Sequence, residues 1–481
     1  GHQPLGALAV QRPVQPDRLG RALGEPLAPA HELGLRLPVV LAEAVRARTG
    51  QEAKWLRSAD EANSVGARVK ELLAQPLTAE ASVQIALLNN PGLQASYAEM
   101  GIAEADLVQA SRWSGPKFSF ARLRRGDETE YERSVFFDLL GLITIPLSTK
   151  AEKKRFESAK ARAAGEALKL ALETRKAYFA AVAAQEGTRY LEQVKSAAEA
   201  SAELARRMAA TGNWPKLNQA REQVFYAEAT AQLARSMRSQ ASARERLIRL
   251  MGLWGEDLRF VLPERLPELP ETAREAGDPE AVALAQRLDV QGARRDAEAL
   301  AESMGLTRVS RFVNLLEFGV HDNSESPGPH QRGWEMELRI PIFDFGGARV
   351  ARAEQIYMQS VNRAAETAIR ARSEVRETYS AYRSAFDLAR HYRDEIVPLR
   401  KRISEEMLLR YNGMLASVFE LLADSRESVM SVNAYIEALR DFWLAESDLQ
   451  AALTSGSPSG TAGSSGAKAA MTMPASGGAG H

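Results

Sequence analysis

Few side chains in this sequence have the chemistry of metal ligands, and those few are widely spaced. His321 and His330 fall in a segment rich in Ser, Pro and Gly, while Met471, Met473 and His481 fall in a tail of Ser, Gly and Ala. Imidazole and thioether groups suit copper. Because side chains so loosely spaced are more often ordinary residues than ligands, we predict no metal site and no cofactor.

The residue patterns of an active site are also missing from the sequence. It contains no cysteine, and so neither a disulfide nor a thiolate nucleophile. We find no nucleophile beside a base, no glycine-rich phosphate loop and no His-x-x-x-His spacing. The 62 basic residues balance 62 acidic ones, which argues against a nucleic-acid partner. We therefore predict a protein that is not an enzyme.

The most informative feature is instead a long internal repeat. Matching segments are Asn90-Pro91-Gly92-Leu93 with Leu288-Asp289-Val290, Ile145-Pro146-Leu147 with Ile340-Pro341-Ile342, Arg175-Lys176-Ala177-Tyr178 with Arg376-Glu377-Thr378-Tyr379, and Thr211-Gly212-Asn213 with Asn412-Gly413-Met414. The period is far longer than that of a solenoid unit. It indicates a duplicated half-molecule, and each half has the order helix, two strands, long helix, turn, long helix.

Composition divides the chain into four segments. Residues 1–76 form a Pro-rich leader, helical from about 38 to 73, which we expect to lie as a strap on the fold. The two repeats occupy residues 77–270 and 271–453, and a Ser/Gly/Ala-rich tail over 454–481 is expected to be disordered. A signal peptide or a lipid-bearing cysteine ahead of Gly1 is compatible with this sequence.

Helix signals are strong in both repeats. Thr78 is placed as the N-cap of a helix over 77–111 that breaks near Pro91. Long helices are predicted over 151–210 and 347–410, with returning helices over 217–251 and 418–453 after turns at Gly212 and Gly413. A heptad seam consists of Leu191, Val194, Ala198, Ala205 and Met208. Such a seam, rich in alanine, is typical of closely packed coiled-coil helices.

Alternating hydrophobicity predicts two strands in each repeat. The predicted strands are 117–123 and 131–147, within about 116–147, and 312–320 and 334–342, separated by a polar loop over 321–333. In the last strand, Trp334, Met336, Leu338, Ile340 and Ile342 alternate with Glu335, Glu337 and Arg339. That is the period of two of a strand with one charged face. No window approaches 18 uncharged apolar residues, so any membrane span would consist of strands.

Four amphipathic strands cannot close a barrel, and lipid does not tolerate an open sheet edge. Three copies would supply about twelve strands, which lies within the range of outer-membrane barrels. Glu335, Glu337 and Arg339 would then line a wet lumen. The predicted fold class is mainly α with membrane β: duplicated helix-strand-strand-helix-helix halves forming a trimeric 12-stranded β-barrel continuous with a long α-helical barrel.

Three segments resemble the outer membrane factor family, the TolC-like efflux channels. They are Leu77-Thr78 through Asn89-Asn90-Pro91, the junction Ile340-Pro341-Ile342-Phe343-Asp344-Phe345-Gly346-Gly347-Ala348-Arg349, and Ser417-Val418-Phe419-Glu420-Leu421-Leu422 with Tyr435-Ile436-Glu437-Ala438-Leu439. The resemblance covers about 77–453. Residues 77–125, with Leu-Leu-Asn-Asn and Arg-Leu-Arg-Arg-Gly-Asp-Glu, look most like channels grouped with heavy-metal efflux pumps.

This resemblance implies a homotrimer in the bacterial outer membrane, in contact with its lipid, and a helical domain in the periplasm. It implies two protein partners, a periplasmic adaptor and an inner-membrane pump. The adaptor would dock on the hairpin tips, which here are Thr211, Gly212 and Asn213, and Asn412, Gly413 and Met414. A simpler interpretation, a glycine that ends a helix, is compatible with the same residues.

The resemblance also implies an acidic gate just after the second tip. In the family pattern x-D-x-L-D-A, Glu420 takes the first acidic position, Ala423 falls at the second, and Asp424 follows one residue later. Asn218 and Gln219, the equivalents in the first half, are uncharged. A ring of three carboxylates would favour cations. The alternative for Glu420 is a solvated helix charge.

Three functions remain open from the sequence. The first is a passive exit duct of a tripartite efflux system, with heavy-metal ions as one class of cargo. The second is a type I protein-secretion duct of the same fold, because fold does not decide cargo. The third is a soluble coiled-coil scaffold. The apolar strand face favours the first two over the third.

Overall fold

The computed structural model describes residues 39–125, 128–275, 277–310, 315–326, 328–339 and 346–456. Residues 1–38 of the predicted leader, the tail beyond residue 456 and the junction residues 340–345 lie outside this part of the chain. So do Met471, Met473 and His481. The predictions made for those residues stay predictions.

The described part of the chain is mostly helical, with four strands. In order the elements are α1 Val39–Thr49, α2 Ala59–Leu73, α3 Ala79–Asn89, α4 Pro91–Ala110, β1 Lys117–Arg125, β2 Glu128–Asp138, α5 Leu139–Ala210, α6 Lys216–Met251, α7 Pro279–Gln286, α8 Leu288–Ser310, β3 Leu315–Ser326, β4 His330–Arg339, α9 Gly347–His391, a π-helical turn Tyr392–Ile396, α10 Val397–Asn412 and α11 Val418–Thr454. Within this part, no helix combines the length and the apolar character needed to cross a membrane.

Local side-chain chemistry sets the ends of the first helices. The Thr78 side chain accepts a hydrogen bond from the Ala81 N–H, 3.1 Å away, and so begins α3. Asn90 caps α4 in the same way, and Pro91 occupies the first helical position, where a missing N–H costs nothing. The predicted break at Pro91 is confirmed. In the leader, the predicted helix is divided in two at Gly50, whose φ is +70°.

The strands pair in one antiparallel sheet of order β1-β2-β3-β4. Their bounds differ from the prediction, because residues 124–125 and much of 321–333 are strand rather than loop. His321 pairs with Gly333 and Asn323 with Gln331. Polar residues can occupy these strand positions because the hydrogen bonds between strands join main-chain groups and do not depend on the side chain.

The second predicted strand was too long. Residues 139–147 begin α5 instead, because the Asp138 carboxylate accepts the Gly141 N–H at 2.8 Å and caps the helix. Pro146 therefore lies inside a helix. The apolar run that follows Asp138 fits a strand and a buried helix equally well by periodicity, so the cap decides between them.

Four long helical segments form two hairpins. The first hairpin is α5 with α6, and the second is α9 and α10 with α11. The hairpin turns agree with the prediction to within a few residues. The π-helical turn, which the sequence analysis missed, lies just before Pro398. Proline has no N–H for the i→i−4 ladder, so a local rearrangement there is expected.

Alanine dominates the contacts that hold these hairpins side by side. Of the predicted heptad seam, Leu191, Val194, Ala198 and Ala205 are buried and Met208 is half-buried. A second, larger cluster lies where the segment between α6 and α7, which begins with a short 3-10 helix over Gly255–Leu258, crosses the long helices. Its buried residues include Phe260, Leu262, Leu266 and Leu269. Residue 270, the predicted boundary between repeats, falls in this segment.

One charged side chain is completely buried in the second repeat. Arg287, with 0% exposure, lies between α7 and α8. It donates two hydrogen bonds to Asp289, at 3.0 and 2.7 Å, and one to Glu374 of α9, at 2.8 Å. Removing one partner of a buried ion pair leaves the others desolvated and unpaired, which makes the arrangement sensitive to substitution.

We expect Arg287→Ala to lower the free energy of unfolding by roughly 3 to 5 kcal/mol, the usual effect of breaking a buried pair. The matched control is Arg376→Ala on α9, because Arg376 forms a more exposed ion pair with Glu280 and should contribute only about 0 to 1 kcal/mol. Thermal unfolding followed by circular dichroism measures both. Equal losses in the two variants would contradict a structural role for the buried pair.

Candidate channel and hairpin-tip sites

The first hairpin tip is a closed helix end. Thr211 donates its hydroxyl to the Met208 carbonyl at 2.9 Å, and the Asn213 N–H bonds to the same carbonyl at 3.0 Å. Gly212 has φ +74°, the left-handed region that glycine adopts without cost. The predicted tip residues Thr211, Gly212 and Asn213 are therefore brought together in a glycine-terminated helix end.

The second tip has a different backbone from the predicted one. Gly413 has φ −79°, and the left-handed residue is Met414, at φ +59°. The left-handed residue of this turn is therefore Met414 and not the glycine on which the turn was expected to centre. The Leu415 N–H returns to the Arg410 carbonyl at 2.8 Å, which places the reversal one residue later. Met414 and Leu415 are 94% and 82% exposed, so the tip is apolar and bare in the single chain.

Glu420 follows this tip along the chain and lies in the first turn of α11. Its carboxylate accepts the Ser417 N–H at 2.7 Å and the Ser417 hydroxyl at 2.9 Å, while the Ser417 hydroxyl accepts the Glu420 N–H. This reciprocal arrangement is a capping box. The backbone N–H and then the hydroxyl of Ser417 lower the pKa of Glu420 below its usual value. In the single chain Glu420 has a clear structural role.

Asp424, the second predicted gate residue, lies against α10 within the hairpin. It is only 9% exposed and accepts the Ser404 hydroxyl at 2.6 Å. The structure therefore does not bring Asp424 and Glu420 onto one open surface. The partners explain the difference: Asp424 is held against α10 by Ser404, whereas Glu420 is held at the start of α11 by Ser417.

Two contacts join the hairpins near their tips, and sequence analysis missed both. Trp214 stacks on Phe419, with ring centroids 3.4 Å apart. Further from the tip, the buried Glu222 of α6 pairs with Arg426 of α11 and accepts the Ser201 hydroxyl at 2.6 Å. In the sequence, the only indication of these contacts was Trp214, a large aromatic residue next to the predicted turn. The partners are some 200 residues apart, so no local pattern could pair them.

In the half of the sheet nearest the helices, one face is mostly apolar and the other mostly polar. Cross-strand register places Phe118, Val135, Val320 and Trp334 in one row of the first face. Phe118 and Trp334 are 75% and 72% exposed. The opposite face carries Ser119, Ser134, His321 and Glu335 in nearby rows, and a carboxylate oxygen of Glu335 lies 2.7 Å from His321 Nε2.

The predicted lumen residues follow this alternation. Glu335 and Glu337 point away from the face of Trp334 and Met336, as a period of two requires. The backbone of Arg339 pairs with Leu315, but its side chain is outside the described part of the structure. No group of three or more His, Asp or Glu residues with metal-binding geometry occurs among the described residues.

The capping box should make the second tip sensitive to acid. Because the folded-state pKa of Glu420 is lowered from 4.5, its stabilising contribution is complete above that value and is lost as pH falls through the folded pKa. We expect hydrogen-exchange protection over 414–424, corrected for the intrinsic rate, to fall as the pH is lowered below 4.5. Glu420→Gln should abolish this pH dependence.

The matched control is the first tip, residues 208–218, which has no carboxylate cap. Its corrected protection should stay constant over the same pH interval. Parallel loss of protection at both tips would show that acid acts on the whole helical domain rather than on Glu420.

Comparisons with known proteins agree at the level of the fold. No model of a protein family matches the chain, and no curated protein matches it. Solved structures do match. The Campylobacter jejuni outer membrane channel CmeC is 17% identical, with a TM-score of 0.65 over 79% of this chain and 86% of that one. The Neisseria gonorrhoeae outer membrane channel MtrE, in its open state, is 18% identical, with a TM-score of 0.65 over 78% of this chain and 89% of that one.

A third similar structure is CusC, described in terms of its folding and transmembrane channel formation. It is 18% identical, with a TM-score of 0.64 over 79% of this chain and 92% of the other. The resemblance to the outer membrane factor family that the sequence motifs indicated is thus confirmed in the arrangement of the chain. The protein has the fold of the TolC-like outer-membrane channels.

Proposed function

We propose that this protein is the outer-membrane exit duct of a tripartite efflux system. Three copies would close a twelve-stranded barrel in the membrane, continuous with a helical tunnel in the periplasm. One observation carries the proposal: the four-stranded sheet has two outer strands with one neighbour each in the described chain, and an exposed apolar face. Such a sheet is complete only when other copies pair with its edges and lipid covers its face.

The register supports a water-filled interior. Glu335 and His321 share the face opposite Phe118 and Trp334. In a barrel with the aromatic face outward, these polar groups line the lumen, as in other outer-membrane barrels. A soluble scaffold is not expected to expose aromatic side chains to water on a sheet face. For this reason we prefer the channel.

The hairpins supply the periplasmic part. At about 1.5 Å per residue, the 72 residues of α5 extend for roughly 110 Å. A ring of such hairpins makes a long tube that carries cargo without binding it. Energy and selection would come from an inner-membrane pump and a periplasmic adaptor, the partners that the sequence resemblance implies.

The tips form the periplasmic mouth in this proposal. The adaptor would dock on Thr211, Gly212 and Asn213 and on Asn412, Gly413 and Met414. Exposed Met414 and Leu415 supply an apolar surface for that contact. Glu420 would line the gate as a ring of three carboxylates, whereas Asp424, the second residue predicted for the gate, is held by Ser404 within the hairpin. The proposal that heavy-metal ions are the cargo rests only on the sequence resemblance of residues 77–125.

The assembly is tested by purification in detergent. We expect light scattering to give a mass of three chains after subtraction of the detergent. Planar bilayers that contain the purified protein should show ohmic conductance, because a wet lumen has no binding step. A protein that is soluble without detergent as a monomer would refute the proposal.

The assignment of the two sheet faces is tested by one substitution at adjacent positions. Phe118→Arg places a charge on the face proposed to meet lipid, at a cost of roughly 2 to 4 kcal/mol near the bilayer midplane. Ser119→Arg, the matched control, places it on the polar face. We expect far less folded Phe118→Arg than Ser119→Arg protein in outer-membrane fractions. The reverse order would show that the faces are exchanged.

A further inference from the structure

The sheet is joined to the helices at one end only. β2 leads into α5 at Asp138, and β4 leads into α9. The other end consists of the end of β1, the start of β2, the end of β3 and the start of β4. We call this part the outer half of the sheet, defined as residues 120–125, 128–133, 322–326 and 330–332. In the proposed orientation the helices are periplasmic, so the outer half faces the outer leaflet and the exterior.

The face that carries Phe118 and Trp334 becomes basic in the outer half. Residues two apart on a strand share a face, and the register then assigns to this face Phe120, Arg122, Arg124, Thr129, Tyr131, Arg133, Asp322, Ser324, His330 and Arg332. Its exposed arginines are Arg122, Arg124, Arg133 and Arg332. The one carboxylate among these residues is that of Asp322, and Arg332 lies 3.5 Å from it.

The opposite face of the outer half has the opposite charge. The charged side chains that the structure describes on this face are Glu130 and Glu132, with Asn323 and Gln331 in the same rows or the next. A sheet with water on both sides gives no physical reason for such sorting, because charged side chains are equally well solvated on either face. The sorting therefore indicates that the two faces meet different surroundings.

Two of the arginines belong to a block of four side chains on β1 and β2. Phe120 pairs with Arg133 in the register and Arg122 pairs with Tyr131, so aromatic and basic residues alternate. The Cζ atoms of Arg122 and Arg133 lie 5.6 and 5.9 Å from the centre of the Tyr131 ring. Cation–π contact thus holds both guanidinium groups beside one ring. Neither group forms an ion pair with another described residue.

This block has the chemistry to bind a phosphorylated lipid. A guanidinium group keeps its charge, is weakly hydrated and donates two parallel hydrogen bonds to a phosphate. The rings of Phe120 and Tyr131, with centroids 6.3 Å apart, supply an apolar surface at the same level. Aromatic residues occupy such positions where acyl chains meet headgroups. A ligand that combines acyl chains with a phosphate matches both kinds of side chain.

The depth of the block in the proposed barrel agrees with this ligand. The row of Phe118 and Trp334 holds only aromatic and aliphatic side chains, the next row holds Arg133, and the one after it holds Arg122. One row advances about 5 Å along the barrel axis, because two residues extend about 7 Å and the strands tilt by about 40°. Hydrocarbon strongly disfavours charged side chains, so the two basic rows belong at the level of the headgroups.

We propose that the basic face of the outer half binds the phosphate groups of lipids in the outer leaflet, with Arg122 and Arg133 as the central contacts. The inference rests on the proposed function and identifies what surrounds the outer rim of the barrel. The ligand class is a lipid with a phosphorylated headgroup. A trimer carries three such sites.

Lipid binding is measured on the full chain, purified in a nonionic detergent. The probe is lipid A, a glycolipid whose headgroup carries phosphate. Arg122→Gln with Arg133→Gln should raise the dissociation constant for lipid A roughly 10- to 30-fold. The matched control, Arg235→Gln with Arg238→Gln, removes two exposed arginines of α6 and should leave the constant unchanged. Equal losses in the two variants would overturn the site.

Three further measurements identify the recognised group. Arg122→Lys with Arg133→Lys keeps the charges and should bind lipid A more tightly than the glutamine variant, and it serves as the test if the glutamine variant does not fold. Lipid A stripped of its phosphates should bind the wild type about as weakly as intact lipid A binds the glutamine variant. Inorganic phosphate should not displace lipid A. Complete displacement would assign the site to free phosphate and overturn the lipid.

Ion selectivity in planar bilayers tests which face the arginines occupy. Glu130→Gln with Glu132→Gln, on the opposite face, should lower the preference for cations, whereas Arg122→Gln with Arg133→Gln should not change it. The reverse result would place the arginines in the lumen and overturn the inference. A conducting trimer with equal lipid A affinity in wild type and glutamine variant would overturn the lipid site alone. A monomer that is soluble without detergent would refute the proposed function as well.

Discussion

Close packing of small side chains along α5 is the contact on which the rest of the structure depends. Ala161, Ala167, Ala171, Ala181 and Ala198 are all buried on this helix. Alanine lets helix axes approach closely but contributes little apolar area per residue. The result is a single layer of long helices rather than a thick core. A layer has two open edges, and both the sheet and the outer helices of this protein have them.

Polar contacts fix the axial register of these helices, which alanine packing alone specifies only weakly. An alanine seam fits its neighbour about as well after a shift of one heptad. Arg287 with Asp289 and Glu374, and Glu222 with Arg426, do not allow such a shift, because a displaced ion pair would leave charges buried without partners. These groups lie at opposite ends of the helical layer. They hold the hairpins at a defined height, which the tips and any contact between copies need.

The two ends of the molecule differ in what they leave exposed. In the half of the sheet nearest the helices, aromatic side chains cover one face and polar groups the other. At the second tip, apolar Met414 and Leu415 stand free beside a rigid capping box. A surface that is apolar at both ends fits a protein whose environment is other copies, lipid and partner proteins. The proposed function therefore rests on exposed apolar surfaces that need a partner, and not on a ligand-binding pocket.

The sequence alone determined the parts that depend on local periodicity. The break at Pro91, the long helices, their turns and the alternation of Trp334 to Glu337 all follow from spacing and capping residues. Tertiary contacts decided the rest. Asp424 is withdrawn because Ser404 of α10 lies opposite it. Arg287 is buried because Asp289 and Glu374 meet it from two helices. Each of these outcomes depends on which residues come into contact in the folded chain, and the spacing of residues along a single segment carries no information about that.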